Sequence, residues 1–141
     1  AGFGEELESL KELAGEVGLE VEFLGHLENP DEYIAQLHLS VIPSHKETFS
    51  LVTLESLMLG CPVLAANSGG VEELCRNHAG AVLYPVGDVA ELTRELARFI
   101  ESPEKLQENA LKAVGKTRTN FSSSAMAGRY QKLYGNLLDN L

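Results

Sequence analysis

Apolar residues follow two alternating patterns along the chain. Residues 39–42, 63–66 and 81–84 are short apolar runs with Pro or Gly on at least one side, and they predict buried strands. Residues 20–24 alternate polar and apolar, Glu-Val-Glu-Phe-Leu, which predicts a half-exposed strand at a sheet edge. The segments between and after these runs carry helical spacing. Leu7, Leu10, Leu13, Ala14 and Val17 form a stripe that follows the Gly-rich lead Ala-Gly-Phe-Gly and is closed by Gly18. Asn29, Pro30 and Glu32 stand in the order of a capped helix start, with Tyr33, Ile34 and Leu37 inward. Ser50 is suited to cap a helix whose stripe is Leu51, Leu54, Leu57 and Met58, and Gly60 and Pro62 end it. About two turns of helix follow, with Val71, Leu74 and Cys75 inward and Gly80 as the stop. Asp88 and Glu91 form a capping box for a helix carrying Val89, Leu92, Leu96, Phe99 and Ile100. Ser102-Pro103 restarts the chain as a helix with Leu106, Ala110, Ala113 and Val114 inward. A last helix from about Ser123 aligns Met126, Tyr130, Leu133, Tyr134 and Leu137.

Strands that alternate with helices predict an α/β fold, a parallel sheet with helices on both faces. Such folds bind ligands at the carboxyl ends of their strands, beside helix N-termini. The loops after Leu24, Pro43 and Ala66 should open there, so residues 41–55 and the Gly69-Gly70 loop should share one crevice. The amides of Phe49, Ser50 and Leu51 lack helical partners at a helix start, and with the positive dipole end they suit a phosphate. Helical side chains lean toward the N-terminus, which lets Glu55 reach the same crevice and accept hydrogen bonds from sugar hydroxyls. Glu47 approaches from the loop side. Gly69 and Gly70 allow positive φ or a close approach to a ligand. Spacing alone also fits blander readings. The dipole favours an early helical Glu by about 0.3–1 kcal/mol, an exposed loop Glu needs no role, and two glycines make a plain turn.

Totals narrow the choice. The 141 residues suit one domain with a sizeable core, and 44% hydrophobic with 23% charged residues is an ordinary globular composition. A net charge of −10 disfavours nucleic acid or an anionic membrane as partner. No apolar run is long enough to span a bilayer, and no signal peptide is present. Two cysteines, Cys61 and Cys75, are too few for a disulfide framework and sit in apolar patterns, so they read as free core thiols in a reducing cytoplasm. No Cys/His cluster has metal-ligand spacing, and neither His38 nor His45 is assigned a catalytic role.

The run P-S-H-K-E-T-F-S-L-V-T-L-E-S-L-M-L-G-C-P-V-L-A-A-N-S-G-G-V-E-E-L from Pro43 resembles the signature of retaining glycosyltransferases of family four, also called group 1. That signature is, in outline, P-S-x-x-E-G-F-G-L-x-x-L-E-A-M-A-x-G-x-P-V-V-A followed by G-G-x-x-E. The match is long, ungapped and mixed in residue type. V-E-F-L-G resembles the strand and glycine before the family's base-binding loop, and N-F-S-S-S-A-M-A-G-R-Y-Q-K-L-Y resembles its C-terminal ending. The resemblance covers nearly the whole chain. It implies a Rossmann-like sheet forming part of the C-terminal lobe of the GT-B architecture, in which this lobe binds a nucleotide-diphosphate sugar and an N-terminal lobe binds the acceptor. It further implies that Glu47 stabilises positive charge on the donor hexose and that Glu55 holds the ribose hydroxyls. The amides of Phe49, Ser50 and Leu51 then hold the diphosphate and sugar, while Gly25, His26 and Leu27 line the base pocket. Transfer retains anomeric configuration by a same-face displacement, without a metal or other cofactor.

Three departures qualify this. Thr48 and Ser50 stand where the family usually has glycines around the Phe, which restricts φ and narrows the approach. His38 stands where the family usually has Asp, which reads as structural. Two strands that usually open the lobe, and the Arg and Lys after the first of them, have no counterpart here, so residues 1–141 read as an incomplete lobe of a longer enzyme. For the isolated piece this predicts poor donor binding, no transfer, and either self-association through a bare strand edge or a rearranged first fifty residues. Alternatives are a nucleotide-sugar 2-epimerase or sugar-phosphate synthase on the same architecture, a non-catalytic nucleotide-sugar-binding module, and an unrelated flavodoxin-like domain, which leaves the long motif unaccounted for.

Overall fold

The computed structural model describes Gly2 and residues 4–139; Ala1 and Phe3 of the Gly-rich lead lie outside the described residues. The elements in order are α1 (Leu7–Glu16), α2 (Pro30–Ile34), β1 (Ser40–Ile42), α3 (Leu51–Leu59), β2 (Val63–Ala66), α4 (Val71–Cys75), β3 (Ala81–Tyr84), α5 (Val89–Glu101), α6 (Glu104–Asn120) and α7 (Ser123–Leu138). The chain divides into two compact units, residues 1–30 and 31–141.

The second unit holds the sheet. Its three strands run parallel in the order β1-β2-β3, with Ser40 opposite Val63 and Val63 opposite Ala81. Side chains alternate across a strand, so β2, buried along its whole length, feeds two cores. On one face Val63 and Ala65 pack with Ile42, Leu57, Val71, Leu74 and Cys75. On the other, Leu64 and Ala66 pack with Tyr84, against which Leu39, Val82, Leu92 and Leu96 lean. The predicted α/β sheet with helices on both faces is therefore present. Cys61 and Cys75 are free, buried thiols; burial pushes them up to about 11 and about 12 respectively, so neither is a ready nucleophile.

Several helix caps follow the sequence. Asp88 accepts a hydrogen bond from the Glu91 amide at 2.9 Å, and Ser122 accepts one from Ala125 at 3.1 Å. Gly60 closes α3 at φ +80, with the Cys61 amide donating to the Ser56 carbonyl.

Other expectations are corrected. Residues 20–24 form no strand, because no neighbouring segment among the described residues pairs with them; alternation prepares a strand but only a partner makes one. The α1 stripe is largely exposed at Leu10, Leu13 and Val17. Of the α2 trio only Ile34 is buried, while Tyr33 and Leu37 face solvent. Helix α4 spans five residues and not two full turns, since the chain turns at Arg76 to reach Gly80. On α5, Val89 and Ile100 are exposed, and the whole α7 stripe lies open.

Candidate functional site

The segment between β1 and α3 is positioned by contacts with the loop after β2. Gly70 donates its amide to the Thr48 carbonyl at 3.1 Å, and the Ser68 hydroxyl donates to the Ser44 carbonyl at 3.1 Å. The two backbones lie so close that side chains are excluded. A Cβ on Gly69 would sit 1.8 Å from the Glu47 carbonyl oxygen, and one on Gly70 would sit 2.4 Å from that of Thr48. Gly69 also has φ +51, a conformation that other residues rarely adopt. The glycines are therefore required by their approach to residues 47–49, a role that neither the plain-turn reading nor the ligand-approach reading anticipated.

This junction opens into a crevice of about 500 Å³, with His45, Lys46, Glu47 and Thr48 on one side and Ser68 and Gly69 on the other. A second hollow of about 530 Å³ lies beside Gly69 and Gly70, walled by Glu72, Glu73 and Arg76. The Arg76 guanidinium donates to Glu72 and holds that exposed carboxyl below its usual range, first by the hydrogen bond and then by charge. Of the residues expected to share one crevice, Glu47 and Gly69 line it together, whereas Phe49, Ser50, Leu51, Glu55 and Gly70 are not among its lining residues. Lys46, His45 and Ser68 belong to it as well. Lys46 was legible as a cation inside the motif, whereas nothing in the pattern marked the Ser68 hydroxyl.

Helix α3 starts at the carboxyl end of β1. The amides of Phe49, Ser50 and Leu51 have no acceptor among the described residues, so these donors remain at the helix head. Ser50 behaves differently from expectation. Its backbone is left-handed, φ +67 and ψ +83, and its hydroxyl makes no cap bond; it pairs with the Thr53 hydroxyl at 2.9 Å in a buried setting. A left-handed residue cannot aim its side chain back at the N2 and N3 amides as an extended N-cap does. Leu51 is 64% exposed and leaves the core stripe to Leu54, Leu57 and Met58. Glu55 lies in the second turn of α3, half-buried, with no hydrogen bond or ion pair among the described residues. Glu47 is likewise half-buried. Gly25, His26 and Leu27 belong to the first unit, where Gly25 has φ +62 and its carbonyl accepts the Gly2 amide. No group of three or more His, Cys, Asp or Glu residues arranged to hold a metal occurs among the described residues.

The model of the group 1 glycosyl transferases matches residues 1–116. The chain belongs to that family. Among curated relatives, it is similar to D-inositol 3-phosphate glycosyltransferase of Thermobispora bispora, 35% identical over 103 residues that make up 73% of this chain and 24% of that protein. It is also similar to glycogen synthase of Mycobacterium tuberculosis, 32% identical over 115 residues, 79% of this chain and 28% of that one. Among solved structures, Anabaena HepE in complex with UDP-glucose superposes with a TM-score of 0.82 at 27% identity, over 95% of this chain and 38% of that chain. The sheet is accordingly that of a GT-B glycosyltransferase lobe. The chain spans about a quarter of the length of the curated relatives named here. No helix among the described residues is long and apolar enough to cross a membrane.

Proposed function

We propose that this chain is the donor-binding part of an enzyme that moves a hexose from a nucleotide-diphosphate sugar to an acceptor with retention of anomeric configuration. The observation that supports it most is the junction of the Gly69-Gly70 loop with residues 47–49, beside the unpartnered amides at the head of α3. Amides without protein acceptors at the positive end of a helix dipole suit phosphate oxygens. In this reading the amides of Phe49, Ser50 and Leu51 hold the diphosphate and sugar. Glu47, on the crevice wall, faces the charge that develops at the anomeric carbon, and Glu55 accepts hydrogen bonds from the ribose. The assignment of Gly25, His26 and Leu27 to the base rests on the sequence resemblance. HepE was crystallised with UDP and with UDP-glucose, which favours a nucleotide sugar as the ligand class.

The acceptor is assigned to a second lobe outside this chain. Bringing donor and acceptor together supplies about 7–11 kcal/mol of a barrier in favourable cases, so the isolated chain should not catalyse transfer. It should also bind donors weakly, because it carries a net charge of −10 and Lys46 is the one Lys or Arg in residues 41–55. Among the described residues strand β1 pairs on one side only, and an open edge favours pairing with a second copy. Two buried free thiols fit a reducing compartment such as the cytoplasm.

The test is the stereochemistry of the product made from UDP-glucose by the full protein that carries this chain. NMR should show an α-linked glucose, the configuration of the donor. A β-linked product would overturn retention and the role given to Glu47.

A further inference from the structure

The segment that leads into β3 holds an ordered chain of hydrogen bonds that the proposed function does not use. The Gly80 amide donates to Nδ1 of His78 at 3.2 Å, so that nitrogen carries no proton. The proton of the neutral ring then sits on Nε2 and is given to the Thr117 hydroxyl at 2.8 Å, which in turn donates to the Ala113 carbonyl at 3.0 Å. Thr117 is buried, and a Cβ on Gly80 would fall 2.4 Å from the Ala110 Cα, so α6 lies directly on the backbone that leads into β3. One turn beyond Thr117, Phe121 donates its amide to the Thr117 carbonyl and sets its ring 6.3 Å from that of Phe49, tilted by 57°. Arg118, between them, donates to the Met58 carbonyl at the end of α3 at 2.9 Å.

We propose that Phe121 is a positioning residue for the loop carrying Glu47 and the Phe49 amide, and that neutral His78, through Thr117, keeps Phe121 in place. This rests on the proposed donor site. Phe49 packs against the same core as Phe121, and its amide is one of the unpartnered donors at the head of α3. A change in the end of α6 therefore reaches the donor loop through one ring contact. A second proton on His78 would have to enter at Nδ1, opposite the Gly80 N–H, and would replace an acceptor with a donor there. Lys116 and Lys112 on α6 oppose that proton, while Glu73 at α4 and Glu108 beside Lys112 favour it. Burial and then the Lys116 charge lower the His78 pKa, which agrees with a ring that stays neutral.

The experiment compares Phe121→Ala, Phe121→Leu, Thr117→Val and Leu96→Ala in the full protein, with donor KM, kcat and thermal stability measured for each between pH 5 and 8. Phe121→Ala should raise donor KM by about tenfold, the upper worth of an aromatic pair. Phe121→Leu should recover part of that loss. The unsubstituted protein should show an acid-side rise in donor KM, and Thr117→Val should raise KM less than Phe121→Ala and remove that rise. Leu96→Ala, in the opposite core, should lower stability and leave donor KM unchanged. The inference is overturned if Phe121→Ala and Leu96→Ala change stability and KM in the same proportion, or if Thr117→Val leaves the acid-side rise in place. Glu47→Gln, run alongside, separates the two ideas: if it retains full kcat, the donor site itself is misplaced, whatever Phe121 does.

Discussion

The stretch from α3 to α4 and the last helix, α7, both show apolar residues at regular spacing, yet they end in opposite surroundings. Leu57, all of β2 and Val71 are sealed between layers, Leu57 at 1% exposure. On α7, Met126, Tyr130, Leu133, Tyr134 and Leu137 lie open, Leu133 at 51%. Periodicity states which side of an element is apolar; it does not state what covers that side. In the first case the cover is local in sequence, because a strand, a tight turn and the next helix fold back on each other. In the second, no described element packs over the stripe.

The sharpest way to break this comparison is truncation on each side of it. Leu57→Ala should cost about 2–5 kcal/mol of unfolding free energy, the range for a buried Leu. Leu133→Ala should stay within about 0.5 kcal/mol, as for an exposed substitution. Urea unfolding of the two variants checks both, and equal losses would mean that α7 is covered in solution.

Gly69→Ala comes next. The added methyl would meet a carbonyl oxygen at 1.8 Å on a left-handed backbone, so the loop must shift. A loss of about 1–3 kcal/mol is expected, together with loss of donor binding in the full protein. Unchanged stability, measured by thermal unfolding, would show that the two loops are not held together as described.

Ser50 offers a smaller test. At φ +67 a side chain costs about 1–2 kcal/mol, which glycine avoids. Ser50→Ala keeps that strain and loses the bond to Thr53, so Ser50→Gly should be the more stable of the two by about 1 kcal/mol. The reverse order would remove the strain from the account.

The smallest effect is with pH. Because the folded pKa of His78 is lowered, its contribution is fully present above the ordinary histidine value of about 6.5 and is lost as pH falls from there through the lowered folded value. Stability followed from pH 8 to 5 should decline over that window, and less so in Lys116→Gln, which removes the second cause of the shift. An identical decline in both would mean that other groups cause it.

Much of the fold was legible because local signals agreed with one another. The apolar runs at 63–66 and 81–84, the Gly60 stop and the Asp88 cap each act within a few residues, and each appears where the pattern put it. What was not legible depends on partners distant in sequence. Residues 20–24 alternate as a strand does but pair with no strand among the described residues. Tyr33, Leu37 and Leu51 fit an inward stripe, but burial is decided by the neighbouring layer. At the site, the meeting of residues 45–48 with Ser68 and Gly69 followed from strand and helix order, but Glu55 does not line that crevice. The conformation of Ser50 did not follow from that order, because hydroxyl residues are common caps and a left-handed serine leaves no mark in a sequence. The Phe49–Phe121 contact joins residues too far apart for spacing to reveal.

The central claim is that Glu47 and Glu55 serve one donor site in different ways. Ribose contacts persist from ground state to transition state, whereas charge at the anomeric carbon develops only during reaction. Steady-state kinetics of Glu47→Ala and Glu55→Ala in the full protein test this most directly. The account predicts that Glu55→Ala chiefly raises donor KM and that Glu47→Ala chiefly lowers kcat. The reverse pattern, or two variants indistinguishable from the unsubstituted protein, would contradict it.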